Sequence, residues 1–191
     1  EAIKKIPKRN YDAIFHIAGQ SSGEISFDNP VYDITTNTVS TLLLLDYALQ
    51  HDCDRFIYAG TMSVYGEQPE KPVHENTHCC PSSFYGVGKL ASEHYMDIYQ
   101  SYGIKTTSLR LFNVYGPGQN LDNLRQGMVS IYLAQIFKNG FVEMKGSVDR
   151  YRDFIYIADV VKSFMNCLIC EDSKNEIINI ATGRKTNVGE L

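Results

Sequence analysis

Apolar positions along the 191-residue chain follow two rhythms. Short, nearly continuous apolar runs read as strands, and longer stretches with apolar residues three or four apart read as helices. The first run, Ala13 to Ala18, ends at Gly19 and is expected to be a strand buried on both faces. Helical spacing follows from Pro30 to Gln50, then a second strand from Arg55 to Ala59 ending at Gly60-Thr61. Phe84 to Tyr102 reads as helix, Lys105 to Phe112 as a third strand, and Gln126 to Lys138 as another helix. Shorter strands are expected at Phe141–Met144 and Asp153–Ile157, a helix at Ala158–Cys170 and a strand at Ile177–Ile180. Thr186-Asn187 has the chemistry of a cap opening a further helix.

Strands alternating with helices predict βαβ units, an α/β fold and a doubly wound parallel sheet. Ligands of such sheets bind outside the carboxyl ends of the strands. Polar residues gather at those ends: Gly19-Gln20-Ser21 after the first strand, Thr61 after the second and Asn113 after the third. Tyr85 stands at the start of the helix between the second and third strands.

Composition narrows the field. With 43% hydrophobic residues and a net charge of −4, the chain can bury one sizeable core and offers no basic face for nucleic acid or anionic lipid. The one basic run, Lys4 to Arg9, is short and has no apolar segment after it, so it reads as a solvated helix end rather than a targeting signal. The cluster Leu42 to Leu45 is far too short to span a bilayer. Five cysteines without disulfide-rich spacing fit a reducing, cytoplasmic setting. His74, His78, Cys79 and Cys80 are zinc-ligand types, but they are crowded into one loop, and no metal is expected there.

The most informative chemistry lies in Ser82-Ser83-Phe84-Tyr85-Gly86-Val87-Gly88-Lys89. Positions i and i+4 share a helix face, which sets an ammonium beside a phenol. A neighbouring cation favours the phenolate, so the pair is a candidate proton acceptor for an alcohol under oxidation. The spacing alone is weak evidence, because 13 tyrosines should yield about one Y-x-x-x-K by chance.

Five segments in order carry a stronger signal: Phe15 to Gln20, Phe56 to Gly66, Pro81 to Lys89, Leu109 to Pro117 and Arg152 to Asp159. Together they resemble the extended short-chain dehydrogenase/reductases, in their NAD-dependent epimerase/dehydratase branch, and most of all the UDP-glucose 4-epimerase group. The resemblance runs from about Tyr11 to Leu191 and implies a Rossmann-like fold with part of a small substrate-binding domain. Residues 1–115 would be the central part of the NAD-binding domain. Residues 116–191 would be a mixed region supplying substrate-binding elements and late sheet strands.

The resemblance also implies roles. Tyr85 would be the acid–base, Lys89 would hold the nicotinamide ribose and keep Tyr85 acidic, and Thr61 would bind the same sugar oxygen. Ile17, Ala18, Gly19, Gln20, Ser21, Asn37 and Phe112 would line the NAD cofactor together with those three. Asn113 and Arg152 would contact the diphosphate of a nucleotide sugar, with Arg125 as a further candidate. An arginine fork suits a diphosphate. The implied protein is a homodimer built on the helices carrying Leu42, Leu43, Leu45 and Tyr47, and Leu90, His94, Tyr95 and Ile98.

Two departures accompany the match. Gly88 replaces the usual Ser or Thr, and the family's opening strand, G-x-x-G-x-x-G turn and helix have no counterpart, so the chain reads as the central section of a larger enzyme. The implied reaction is epimerisation through a transient keto-sugar. A 4,6-dehydratase, a decarboxylase or a catalytically silent nucleotide-sensing relative stand as alternatives. Met62 and Ser63 favour epimerisation, because the dehydratases carry an Asp-Glu pair directly after this Thr.

Overall fold

The computed structural model describes residues 5–7, 9–68, 72–144 and 146–191. The basic run at the start lies partly outside them. Four parallel strands form the main sheet in the order β1 (Ile14–His16), β2 (Arg55–Thr61), β3 (Lys105–Leu111) and β7 (Glu176–Ile180). Two small two-stranded sheets stand apart from it. In one, β4 (Asn113–Tyr115) runs parallel to β6 (Phe154–Tyr156). In the other, β5 (Tyr151–Arg152) runs antiparallel to β8 (Thr186–Asn187).

The continuous apolar run of β2 is explained by helices on both faces. All seven of its residues are buried. Side chains alternate across a strand, so Phe56 and Tyr58 point to one face, where they pack with Leu45, Ala48 and Met96. Ile57 and Ala59 point to the other and meet Val160, Phe164 and Cys167. The first face is covered by α2 (Ser40–Gln50) and α3 (Phe84–Gln100), the second by α5 (Ile157–Ile169). Burying a side chain such as Phe56 contributes roughly 1.5–3 kcal/mol.

Several expectations are corrected. The first strand is shorter than Ala13–Ala18 and is half-covered rather than buried on both faces, because it pairs with β2 alone among the described strands, leaving Phe15 37% exposed. Phe141–Met144 forms no strand; it leaves the end of α4 (Met128–Asn139) as loop, after Gly140 closes that helix in the left-handed region at φ 77°. Thr186-Asn187 pairs as β8 before a single 3₁₀ turn over Val188–Glu190, capped by Asn187 Oδ1 accepting from Gly189 N. The helix expected from Pro30 begins as α1 (Pro30–Ile34), capped by Asn29, and reaches α2 through five residues of π-helix, Thr35–Val39. Wide turns of this kind recur at functional sites, and Asn37 sits inside this one.

Candidate active site

α3 starts where Ser83 Oγ accepts from Gly86 N at 3.1 Å. The helix turns an unusually polar stripe toward the sheet: Tyr85, Lys89, Ser92 and Glu93 are all buried, and Met96 continues the stripe. The i, i+4 spacing of Tyr85 and Lys89 does bring them to one face, with the Lys89 nitrogen 5.7 Å from the Tyr85 ring centre. That nitrogen also lies 4.6 Å over the Tyr58 ring and donates to Ala59 O at 3.0 Å.

Thr61 ends β2 and caps the 3₁₀ turn Met62–Tyr65, its Oγ1 accepting from Ser63 N at 3.2 Å. Its neighbour across the ladder is Leu111, so Phe112 and Asn113 leave β3 beside it. Phe112 is half-buried, its N–H donating to Ile180 O at 3.2 Å. Asn113 Nδ2 donates to Asp153 O at 2.7 Å and lies 3.7 Å from Met62 Sδ. This ties the end of β2 to the residue next to Arg152. Arg152 itself is half-buried, and burial together with Arg150 lowers its pKa from the ordinary arginine value.

On the other side of the rim, Ile17, Ala18 and Gly19 are exposed past the end of β1. A Cβ on Gly19, which has φ +156°, would collide with Asn37 Oδ1, so glycine is required for this close approach. Asn37 is fully buried, and its Oδ1 has no hydrogen-bond partner. Gln20 Nε2 donates to Asp33 Oδ1 at 2.6 Å, and Gln126 Nε2 donates to Ser21 Oγ at 2.6 Å. Arg125 reaches the same loop by its backbone, accepting from Ser22 Oγ at 3.0 Å, but its guanidinium is bound to Asp28 and Glu24. Thus Thr61, Tyr85, Lys89, Asn37 and the Ile17–Ser21 segment share one rim. Asn113 stands beyond Thr61, Arg152 adjoins Asn113's partner Asp153 with its guanidinium donating to Tyr151 O, and the Arg125 charge is turned to other partners.

The electrostatics correct one expectation. Burial pushes the Tyr85 phenol above its ordinary value; the Thr61 hydroxyl favours the phenolate, while the nearby Asp33 opposes it. Burial brings the Lys89 amine down to about 8, against the opposing charges of Asp33 and Glu93. His16 is held down to about 4, mainly by burial and secondarily by the Lys89 charge. Thr41 Oγ1 gives its proton to Asn37 O at 2.6 Å, so it accepts from His16 Nε2 at 2.9 Å, which assigns the imidazole proton to Nε2.

Three buried groups were not anticipated from sequence. Glu93 takes Arg110 in a fork, with Nη2 to Oε2 at 2.7 Å and Nε to Oε1 at 3.1 Å, and accepts from Ser108 Oγ at 2.7 Å. Burial opposes the Arg110 charge, but the Glu93 pair and the Tyr65 hydroxyl outweigh it and raise its pKa. Asp33 is the third, at zero exposure. Their spacing was the available signal: Glu93 follows Lys89 by four residues, and Asp33 precedes Asn37 by four. Among the described residues no group of three or more His, Cys, Asp or Glu is arranged to hold a metal ion.

Residues 1–181 match the model of the NAD dependent epimerase/dehydratase family. The chain belongs to this family. A Methanocaldococcus jannaschii protein with a provisional name as UDP-glucose 4-epimerase is 36% identical over 190 residues, covering 98% of this chain and 61% of that protein. The crystal structure of the Thermotoga maritima UDP-glucose 4-epimerase with UDP-glucose superposes with a TM-score of 0.88 at 34% identity, covering 94% of this chain and 58% of that one. The Thermus thermophilus UDP-glucose 4-epimerase in complex with NAD gives a TM-score of 0.83 at 32% identity, with 94% and 59% covered. Dehydratases and decarboxylases of nucleotide sugars match as well, at lower identity. The chain thus spans about half to three-fifths of the length of the relatives it matches. Its parallel sheet and neighbours are those of a partial Rossmann-like domain, and the family's chemistry is NAD-dependent.

Proposed function

We propose that the full protein is an NAD-dependent epimerase of a nucleotide-activated hexose, inverting a ring hydroxyl through a transient keto-sugar. The observation that carries this reading is the common rim of Thr61, Tyr85 and Lys89, followed by a turn whose first residues, Met62 and Ser63, supply no carboxylic acid. A dehydratase needs an acid there to protonate departing hydroxide, since one tyrosine cannot do this while serving as base for the oxidation. Epimerisation has no leaving group.

The rim fits NAD. Ile17 to Gly19 are exposed past the end of β1, and directly behind Gly19 lies Asn37 with an oxygen that has no hydrogen-bond partner, a polar and open edge that suits a flat amide-bearing ring and its ribose. Ile17, Ala18, Gly19, Gln20, Ser21, Asn37, Thr61, Tyr85, Lys89 and Phe112 would hold it. The chemistry it supplies when bound is reversible hydride exchange with a sugar carbon. Tyr85 takes the proton from the hydroxyl on that carbon and later returns it. Thr61 orients the same oxygen, and Lys89 gives the pocket the positive charge that a developing phenolate needs. Asn113 and Arg152 hold the diphosphate, and residues 116–191 supply substrate-binding elements as well as late elements of the main sheet and its cover, β7 and α5.

The full protein is a homodimer in this reading. Val39 and Leu43 on the α2 side and Val87 and Ile98 on α3 stand between 39% and 55% exposed, a surface suited to a second copy. Leu45 and Tyr47 serve the chain's own packing instead. The five free cysteines support a cytoplasmic setting. The test is incubation of the full-length protein and NAD with UDP- and dTDP-hexoses, followed by proton NMR of the ring couplings. Interconversion of two configurations at one carbon is expected. A set of substrates returned unchanged would overturn the reading.

A further inference from the structure

Asp33 and Lys89 are complementary buried groups that no motif joins. Asp33 lies on α1 with its Oδ1 fixed by Gln20 Nε2 at 2.6 Å and Asn37 Nδ2 at 3.2 Å. Its Oδ2 is buried without a hydrogen-bond partner. Lys89, on α3, is 4% exposed and has one hydrogen bond, to Ala59 O. No carboxylate of the described residues comes within 4.0 Å of its nitrogen. The two helices pack together, and the residue between these groups is glycine: a Cβ at Gly88 would stand 3.7 Å from Asp33 Oδ2 and 2.8 Å from Thr38 Oγ1. The missing side chain leaves the free carboxylate oxygen facing the helix turn that carries Lys89.

We propose that Asp33 is a positioning residue for Lys89, the buried counter-charge that keeps its ammonium protonated beside Tyr85. This rests on the role given to Lys89 above. Of the other charged and titratable groups around that nitrogen, only Glu93 adds negative charge, and it acts less strongly than Asp33. His16 from β1 is neutral, and burial keeps the Tyr58 phenol of β2 and the Tyr85 phenol of α3 protonated. Glu93, one turn along α3, is engaged by Arg110 and Ser108. Asp33 is the carboxylate without a cation of its own. A buried cation without a partner gives up its proton rather than stay charged, and the Lys89 amine already titrates near 8. Asp33→Asn preserves shape and an acceptor for Gln20 while removing the charge.

The experiment follows the Lys89 side-chain nitrogen of the full-length protein by 15N NMR against pH, with the signal assigned by its loss in Lys89→Met. In Asp33→Asn the midpoint should fall by about one pH unit, a tenfold change in the ammonium's dissociation constant. An unchanged midpoint would overturn the proposal. The second measurement applies even if Asp33→Asn alone folds poorly. Lys89→Met strands the carboxylate, so the double variant Lys89→Met/Asp33→Asn should melt higher than Lys89→Met. An equal or lower melting temperature counts against the pairing. Neither readout uses turnover, so a failed epimerase assay and a failed Asp33 assignment are separate results.

Discussion

Thr61, Tyr85 and Lys89 are each at most 8% exposed, on a seven-residue strand and a 17-residue helix tied into the main sheet. Phe112, Asn113 and Arg152 are half-buried, and the last two stand on strands of three and two residues that pair outside that sheet. The groups assigned to proton transfer are therefore held by full ladder register and two packed faces. The groups assigned to substrate binding are held by a few hydrogen bonds such as Asn113 to Asp153. The contrast matches what each task needs: acid–base work fails with small displacements, whereas a diphosphate site tolerates adjustment.

The strongest way to break that contrast is at Tyr85. Tyr85→Phe in the full protein removes one hydroxyl and little volume, so turnover should fall about 10²–10⁴-fold while bound NAD is retained. Retained activity in a stopped assay would remove Tyr85 from the chemistry. Next comes the framework beneath it. Glu93→Gln leaves Arg110 as a buried, uncompensated charge and should destabilise the fold by about 3–5 kcal/mol, read from urea unfolding.

The third prediction concerns pH. The His16 imidazole is depressed from 6.5 to about 4 on folding, so the unfolded chain binds the extra proton first. Its contribution is present in full above pH 6.5 and is lost as pH falls through that value toward 4. The loss amounts to roughly 3 kcal/mol by pH 4. A His16→Gln variant should show a flatter stability curve between pH 7 and 4; parallel curves would contradict the assignment. The smallest effects belong to the looser region. Arg152→Ala should raise KM about tenfold with kcat little changed, as expected for a charge-assisted contact. Arg125→Ala should change KM less than Arg152→Ala does, because its guanidinium is already committed to Asp28 and Glu24.

The same division governs what the sequence could tell. β2 was legible from its largely apolar run, as a strand covered on both faces requires, β3 from its Thr and Leu content although most of its buried side chains are polar, and Tyr85-x-x-x-Lys89 because its spacing fixes a shared face. The short extent and exposed face of β1 and the π-turns around Asn37 were not, since they depend on neighbours and on an extra residue in a helix rather than on local pattern. Two-residue pairings such as β5 with β8 leave no periodicity to read. The acidity expected of Tyr85 was misjudged because proximity to Lys89 is visible in spacing, whereas burial, the larger influence here, is not. Asp33 was missed for the opposite reason: an acid on a helix reads as a solvated face until packing shows it enclosed.

The central claim is that this rim exchanges a proton at one hydroxyl and expels nothing. Turnover of UDP- and dTDP-hexoses by the full-length protein in deuterated water, followed by mass spectrometry after return to ordinary water, tests it directly. Epimerisation returns the same hydride to the same carbon, so the product should have unchanged mass and no carbon-bound deuterium. Elimination across the carbons beyond the ketone would instead yield a product lighter by one water and carrying solvent deuterium. That result would contradict the account.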